Sequence, residues 1–364
     1  MFSCKEPYKP SLNEINEHLL VVEGLINLGP EPTIIKLSRT ASVVEKGNFF
    51  PELRAKISIE GNNNQTYNLV ETTSGTYQSG ILNLDPLQKY RLHIITKGNE
   101  YVTDFLEARV SPPIDSVGWT VKPEGLQIYV NTHDNMKKSR YYRWEFEETW
   151  IFHAPFYSLL VWENGGIRNR DDYYENIYKC WNSGASSKIV LGSSIKLTDD
   201  IIHKQPVILI PDDSEKLTEK YSILVKQYTL TKEAFDFWEN LRKNTENLGS
   251  IFDVQPSQLT GNVRNVKNPK EPVLGYISIG NIQTKRIFVS ATELPLNWKP
   301  KASSTCLSPD TIRIADAFKE FSTGIYVPIS ALTNDGGTYA YLVSSPQCTD
   351  CTLRGTKQKP AFWQ

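Results

Sequence analysis

The sequence predicts a mainly β protein. An N-terminal β-sandwich of immunoglobulin or transthyretin type precedes a larger β-sandwich domain, which carries an insertion, one amphipathic helix and a disulfide-stapled C-terminal region. Three observations carry this expectation. Eighteen Tyr, fourteen Phe and eight Trp lie among short Val, Ile and Thr alternations, the residue types that suit a pleated, half-buried surface. Twenty-one Gly and twenty-one Pro punctuate those alternations, which favours short strands and turns. At 364 residues the chain exceeds one ordinary core and divides into domains.

Composition excludes some functions at once. A net charge of −1 supplies no field to attract nucleic acid, so no nucleic-acid partner is expected. No apolar run approaches the roughly 20 residues a helix needs to cross a bilayer.

Residues 1–18 read as a tether. Met1 to Ser3 contain no charged, apolar signal region, and Cys4 leads a polar, Pro-bearing stretch up to His18. Two readings of Cys4 stand side by side: the lipid-bearing thiol of a processed bacterial lipoprotein, or an incidental terminal cysteine. Residues 19–110 follow as about seven short strands, the spacing of a β-sandwich. The turns Gly61-Asn62-Asn63, Ser74-Gly75, Asp85-Pro86 and Lys97-Gly98-Asn99 separate them. His93 sits between Leu92 and Ile94 in a strand, as a solvent-facing or satisfied imidazole.

Ser111-Pro112-Pro113 is the expected hinge, because two prolines cannot join a ladder, and residues 111–364 form the larger domain. In RYYRWEFEETWIF, Tyr142, Trp144, Phe146, Trp150 and Phe152 share one strand face, read as core. Glu147 and Glu148 invite an acid/base reading, but adjacent strand residues point to opposite faces. Residues 155–181 break the strand pattern. Long insertions in sandwiches carry recognition, and Tyr157, Trp162, Arg168, Arg170, Tyr173 and Tyr174 are the candidate partner or ligand contacts, being of the types that dominate interfaces. The opposing reading is an ordered loop that covers the sheet and is pinned by Cys180.

Ser193-Ser194-Ile195-Lys196 matches the S-x-x-K of penicillin-recognising enzymes but lacks the helix and companion motifs that chemistry needs. A strand from Tyr221 then feeds a helix over residues 232–247. Thr231 caps it, Ala234, Phe237, Trp238, Leu241 and Leu248 form its apolar stripe, and Gly249 stops it. EPVLGYISIGNIQTKRIFVS reads as a hairpin about Gly280-Asn281. A short helix near Pro309 to Phe321 follows, and then a second hairpin about Asn334 to Gly337.

Of five cysteines, setting Cys4 aside leaves Cys180, Cys306, Cys348 and Cys351. An even number fits two disulfides in an oxidising compartment, with three pairings open. Cys348-Thr349-Asp350-Cys351 has no second pair at zinc spacing, so no metal site is expected and no cofactor is assigned. A surface hydrolase of glycan or peptide would draw on His133, Asp134, His153, Glu163, Asp171 and Asp172. The five histidines (18, 93, 133, 153 and 203) show no metal-ligand spacing, and no nucleophile elbow is present. No catalytic residue is assigned.

Several segments together carry a resemblance. These are C-K-E-P-Y, LVVEG followed by LSRT, P-P-I-D-S-V, YYRWEFEETW, KCW, the stretch from Tyr221 to Asn262, VLGYISI and CTDCTLRG with KPAFW. The chain resembles a Bacteroidota family of outer-membrane lipoproteins known only as a domain of unknown function. The resemblance implies export, a lipid on Cys4 and anchoring in the outer membrane at the cell surface, with Lys5-Glu6 like the start of a surface-export signal. It also implies a TonB-dependent β-barrel transporter as partner, since family members are often encoded beside one. The expected function is therefore a non-enzymatic accessory or ligand-capture lipoprotein of such a transporter. A hydrolase and a structural or assembly component of an outer-membrane complex are the alternatives.

Overall fold

The computed structural model describes residues 18–41, 50–172, 174–246, 261–301, 306 and 308–363. The fold is mainly β, built from sheets that pack on one another, with two disulfides. The chain divides into two compact units. One contains Met1–Pro112, Met136–Arg143 and Tyr228–Ile282, and the other contains Pro113–Asn135, Trp144–Gln227 and Gln283–Gln364. The expected larger domain over residues 111–364 is thus not one piece, because the chain returns twice to the first unit. The expected tether lies outside the described residues apart from His18.

The first unit is a sandwich whose two layers share a strand. Thr66–Leu69 pair with Lys56–Gly61 in one layer, and Val70–Thr73 pair with Thr76–Gln78 in the other. Alternation along the strands explains the core: Leu20 and Val22, Ile35 and Leu37, Ile57 and Ile59, Leu92 and Ile94 are all buried in one cluster, as period-two patterning requires. Buried tyrosines also satisfy their phenols there. Tyr77 donates to the Glu52 carbonyl at 2.7 Å and accepts from the Ala55 N–H at 2.9 Å.

Residues 261–282 complete this sandwich. Val263–Asn265 pairs antiparallel with Asn99–Thr103, and Ser278–Gly280 pairs parallel with Leu20–Asn27. The expected hairpin about Gly280-Asn281 is therefore not formed: Gln283–Ser290 pairs instead with Lys220–Leu230. Burial decides between these pairings, because Ile277 and Ile279 enter the first core. Gly275 makes the return possible. Its φ is +113°, and a Cβ there would lie 1.9 Å from the Val22 carbonyl oxygen, so only glycine fits.

Helix α1 (Lys232–Glu246) follows its expected course. Thr231 accepts from the Ala234 N–H at 3.2 Å, Ala234 and Phe237 are buried, and Phe237 packs against the rings of Trp238 and Tyr276. Residue 247, Leu248 and Gly249 lie outside the described residues.

In the second unit, Ile114–Lys122, Gly125–His133 and Ile201–Pro211 form a three-stranded sheet. It faces a second sheet ordered Lys179–Ala185, Tyr141–His153, Lys220–Leu230 and Gln283–Ser290, of which Trp144–His153 and Lys220–Gln227 are the parts of the middle strands that belong to this unit. Gln227 crosses between the layers, donating to Thr132 at 3.2 Å and accepting from the Trp144 indole at 2.9 Å. The expected aromatic face is buried, with Tyr142, Trp144, Phe146, Trp150 and Phe152 at most 9 % exposed.

A third, smaller core lies in the same unit. The expected hairpin Val327–Asn334 with Gly337–Ser344 is formed, and Asp310–Arg313 adds to it. Helix α2 (Ile314–Ser322) buries Ala317 and Phe321 on this sheet.

Candidate functional site

Residues 155–172 and 174–181 include the side chains Trp162 and Ile167 that cover the small core. Leu160–Glu163 and Gly166–Asn169 form a hairpin, and Trp162 packs on Phe318 and Phe321 of α2, with ring centroids 5.5 and 5.7 Å apart. The Arg168 guanidinium is held by Glu163 and by both oxygens of Glu175. Those hydrogen bonds, with a backbone bond from Asp171, bring the Glu175 carboxyl down to about 2. Arg170 turns inward to the carbonyl of Leu160 at 3.1 Å, and burial lowers its pKa. Tyr157 donates to Asp172 and packs edge-on to Tyr178. Tyr174 presents its ring, 75 % exposed, and Tyr173 lies outside the described residues. Of the contact residues expected here, Tyr157, Trp162, Arg168 and Arg170 are thus engaged within the protein.

The cover is fastened at its end. Cys180 is bonded to Cys351, and Cys306 to Cys348. The Cys351 N–H donates to the Ile177 carbonyl at 2.8 Å and the Phe156 N–H to the Cys348 carbonyl at 2.9 Å. Cys4 lies outside the described residues.

The acid/base groups are dispersed. Glu147 points outward to Lys226, whereas Glu148 points inward and accepts from Lys216 and Tyr221, each at 2.6 Å. His133 pairs with Asp115 at 2.8 Å, a hydrogen bond that raises its pKa. His153 lies 3.2 Å from Glu219, and burial pushes its imidazole down. Among the described residues no group of three or more His, Cys, Asp or Glu is placed to hold a metal ion.

Two clefts lie in the first unit, where sequence patterning pointed to none. One cleft of about 550 Å³ is lined by Asp104, Glu233, Arg264, Lys270, Glu271 and Tyr276, among others. Arg264 is paired with Asp104, and Glu271 accepts from Tyr101 at 2.8 Å, so much of its polarity is already satisfied. A second cleft, of about 400 Å³, is lined by His18, Arg39, Phe50, Lys97 and Asn99. Behind it lies Glu52, whose side chain is 0 % exposed.

Both oxygens of that carboxylate are hydrogen-bonded. One oxygen accepts from Thr96 at 2.6 Å, and the other accepts from Arg39 Nε at 2.7 Å and Lys97 Nζ at 3.0 Å. Burial alone would raise its pKa, but the hydrogen bonds from Arg39, Thr96 and Lys97 prevail and lower it to about 2. A buried charge is tolerable only when paired in this way. The signal in the sequence was slight: Lys precedes Gly in the Lys97-Gly98 turn, where Asn is the usual residue.

No curated protein matches the chain. Among solved structures, a DUF4785 family protein from Legionella pneumophila is similar at 11 % identity and a TM-score of 0.19, over 57 % of this chain and 52 % of that one. The chain thus spans about half the length of that protein. A structure of manganese lipoxygenase of Gaeumannomyces graminis, with part of zonadhesin of Komagataella pastoris, is similar at 8 % identity and a TM-score of 0.16, over 60 % of this chain and 91 % of that one. Both scores are too low for either likeness to bear on fold or function. The family described as a domain of unknown function, DUF4249, matches residues 5–286, and the chain belongs to it.

Proposed function

We propose that this protein is an exported lipoprotein, anchored through Cys4 in the outer membrane of a bacterium of the Bacteroidota and exposed at the cell surface. There it serves as a non-enzymatic accessory that captures ligand for a TonB-dependent β-barrel transporter. The observation that carries the exported setting is the pair of disulfides, Cys180–Cys351 and Cys306–Cys348. Paired cysteines persist in oxidising compartments. A capture role is supported by an open cleft of about 400 Å³, within the size range of small-ligand sites. The transporter partner rests on the resemblance stated above.

Native purification tests both parts. Expressed with its own leader, the protein should enter the outer-membrane fraction carrying an acyl chain, and Cys4→Ser should release it. A β-barrel protein should co-migrate with the wild type in mild detergent. Recovery from the cytosol with reduced thiols removes the anchor, and recovery from membranes without a β-barrel companion removes the accessory role.

A further inference from the structure

We infer that the cleft formed by His18, Arg39, Phe50, Lys97 and Asn99 binds a singly charged carboxylate that carries an aromatic or apolar group.

The charge of the cleft is the first argument. Among the described residues no carboxylate lines it, and the two formal charges there, on Arg39 and Lys97, are both positive. Glu52 lies behind them with its side chain fully buried, and both its oxygens are occupied. It holds two cations side by side and offers a ligand nothing. Among the described residues two positive charges against one negative leave a surplus of one, which a single carboxylate neutralises. Outside the cleft, the Lys267 ammonium donates to the Gly98 carbonyl at 3.0 Å and so braces the turn between Lys97 and Asn99.

The two cations differ in role. Arg39 is 13 % exposed in its side chain and is fixed by Glu52, by the His18 carbonyl at 3.2 Å and by the Tyr101 hydroxyl. Its Nε already donates to Glu52 and its Nη1 to the His18 carbonyl, so each two-nitrogen edge that could grip a phosphate has one nitrogen engaged. Arg39 therefore supplies fixed charge. Lys97 is 66 % exposed in its side chain, and its one described partner is Glu52. An ammonium has three hydrogens to donate, so two remain for a ligand. Among the described residues the Asn99 side chain makes no hydrogen bond, and its amide completes the polar wall.

The backbone turn sets where the ammonium stands. Lys97 has φ +46° and Gly98 +77°, a turn conformation that disfavours a lysine. Lys137 and Lys204 adopt the same region, so the turn places the Lys97 ammonium at the cleft without marking it out by strain. The apolar side of the cleft comes from Phe50, which meets the His18 ring edge-on at 5.4 Å. His18 is oriented by Thr40, whose carbonyl lies 2.8 Å from Nδ1.

This assignment does not depend on the accessory role, since it is tested on the purified full chain. The probe is 3-phenylpropionate, followed by ligand-observed NMR titration, with the neutral 3-phenylpropionamide and phenyl phosphate as comparisons. The acid is expected to bind about tenfold more tightly than the amide, the effect of one charged hydrogen bond. Lys97→Asn keeps a residue suited to the turn and removes the ammonium. It should weaken the acid about tenfold and leave the amide unchanged, while the lost hydrogen bond to Glu52 lowers the melting temperature by a few degrees without unfolding the protein. Phe50→Ala should weaken both ligands. Absence of saturable binding by the acid, equal binding of acid and amide, wild-type affinity in Lys97→Asn, or a preference for phenyl phosphate would overturn the assignment.

Discussion

The Tyr221 hydroxyl donates to Glu148 Oε1 across 2.6 Å, with both side chains buried. The phenol is held well above its ordinary pKa by burial and by the Glu148 charge, so it stays a donor at any pH the fold survives. Glu148 is therefore a structural anion that joins Tyr221 to Lys216. Tyr221→Phe leaves the carboxylate with Lys216 and should cost about 2 kcal/mol. Urea denaturation of the second unit measures this, and an unchanged midpoint would count against the assigned role.

Glu52 predicts an acid transition. Its pKa is lowered from 4.5 to about 2 on folding, so its contribution is complete above pH 4.5 and is lost as pH falls towards 2. The difference corresponds to about 3 kcal/mol for a group so buried. Glu52→Gln should lower the melting temperature at pH 7 and flatten the pH dependence between about 5 and 2. Parallel wild-type and variant curves over that window would refute the linkage.

The disulfides predict a pairing and a cost. Peptide mapping without reductant should recover Cys180 with Cys351 and Cys306 with Cys348, and either other pairing would contradict the structure. The Cys180–Cys351 bond closes a separation of 171 residues. Replacing both cysteines with Ser should destabilise the second unit by about 3 to 5 kcal/mol, measured as a shift in its unfolding transition.

Trp162 and Tyr174, both expected as contact residues, should separate. Trp162→Ala removes a ring packed against Phe318 and Phe321 and should cost about 2 kcal/mol for a partly buried aromatic. Tyr174→Ala, at a ring 75 % exposed, should leave the melting temperature unchanged. Equal effects on stability would mean that the cover is not built as described.

The sequence alone determined what repeats locally. Alternation in Tyr221, Ile223 and Val225, the aromatic face of Tyr141–His153, the Thr231 cap and the Asn334–Gly337 turn each depend on neighbours a few residues apart, and each is present. Tertiary structure decided what depends on distant partners. Ser278–Gly280 left its expected hairpin because the edge strand Leu20–Asn27 offered Ile279 a buried place. Arg168 and Arg170 turned to carboxylates and carbonyls of their own cover. Arg39 and Lys97, 58 positions apart in the chain, meet through Glu52 because three strand ends converge on one buried charge. No local pattern encodes that convergence, since it arises from strand pairing across the sandwich and from the need to neutralise a carboxylate away from water.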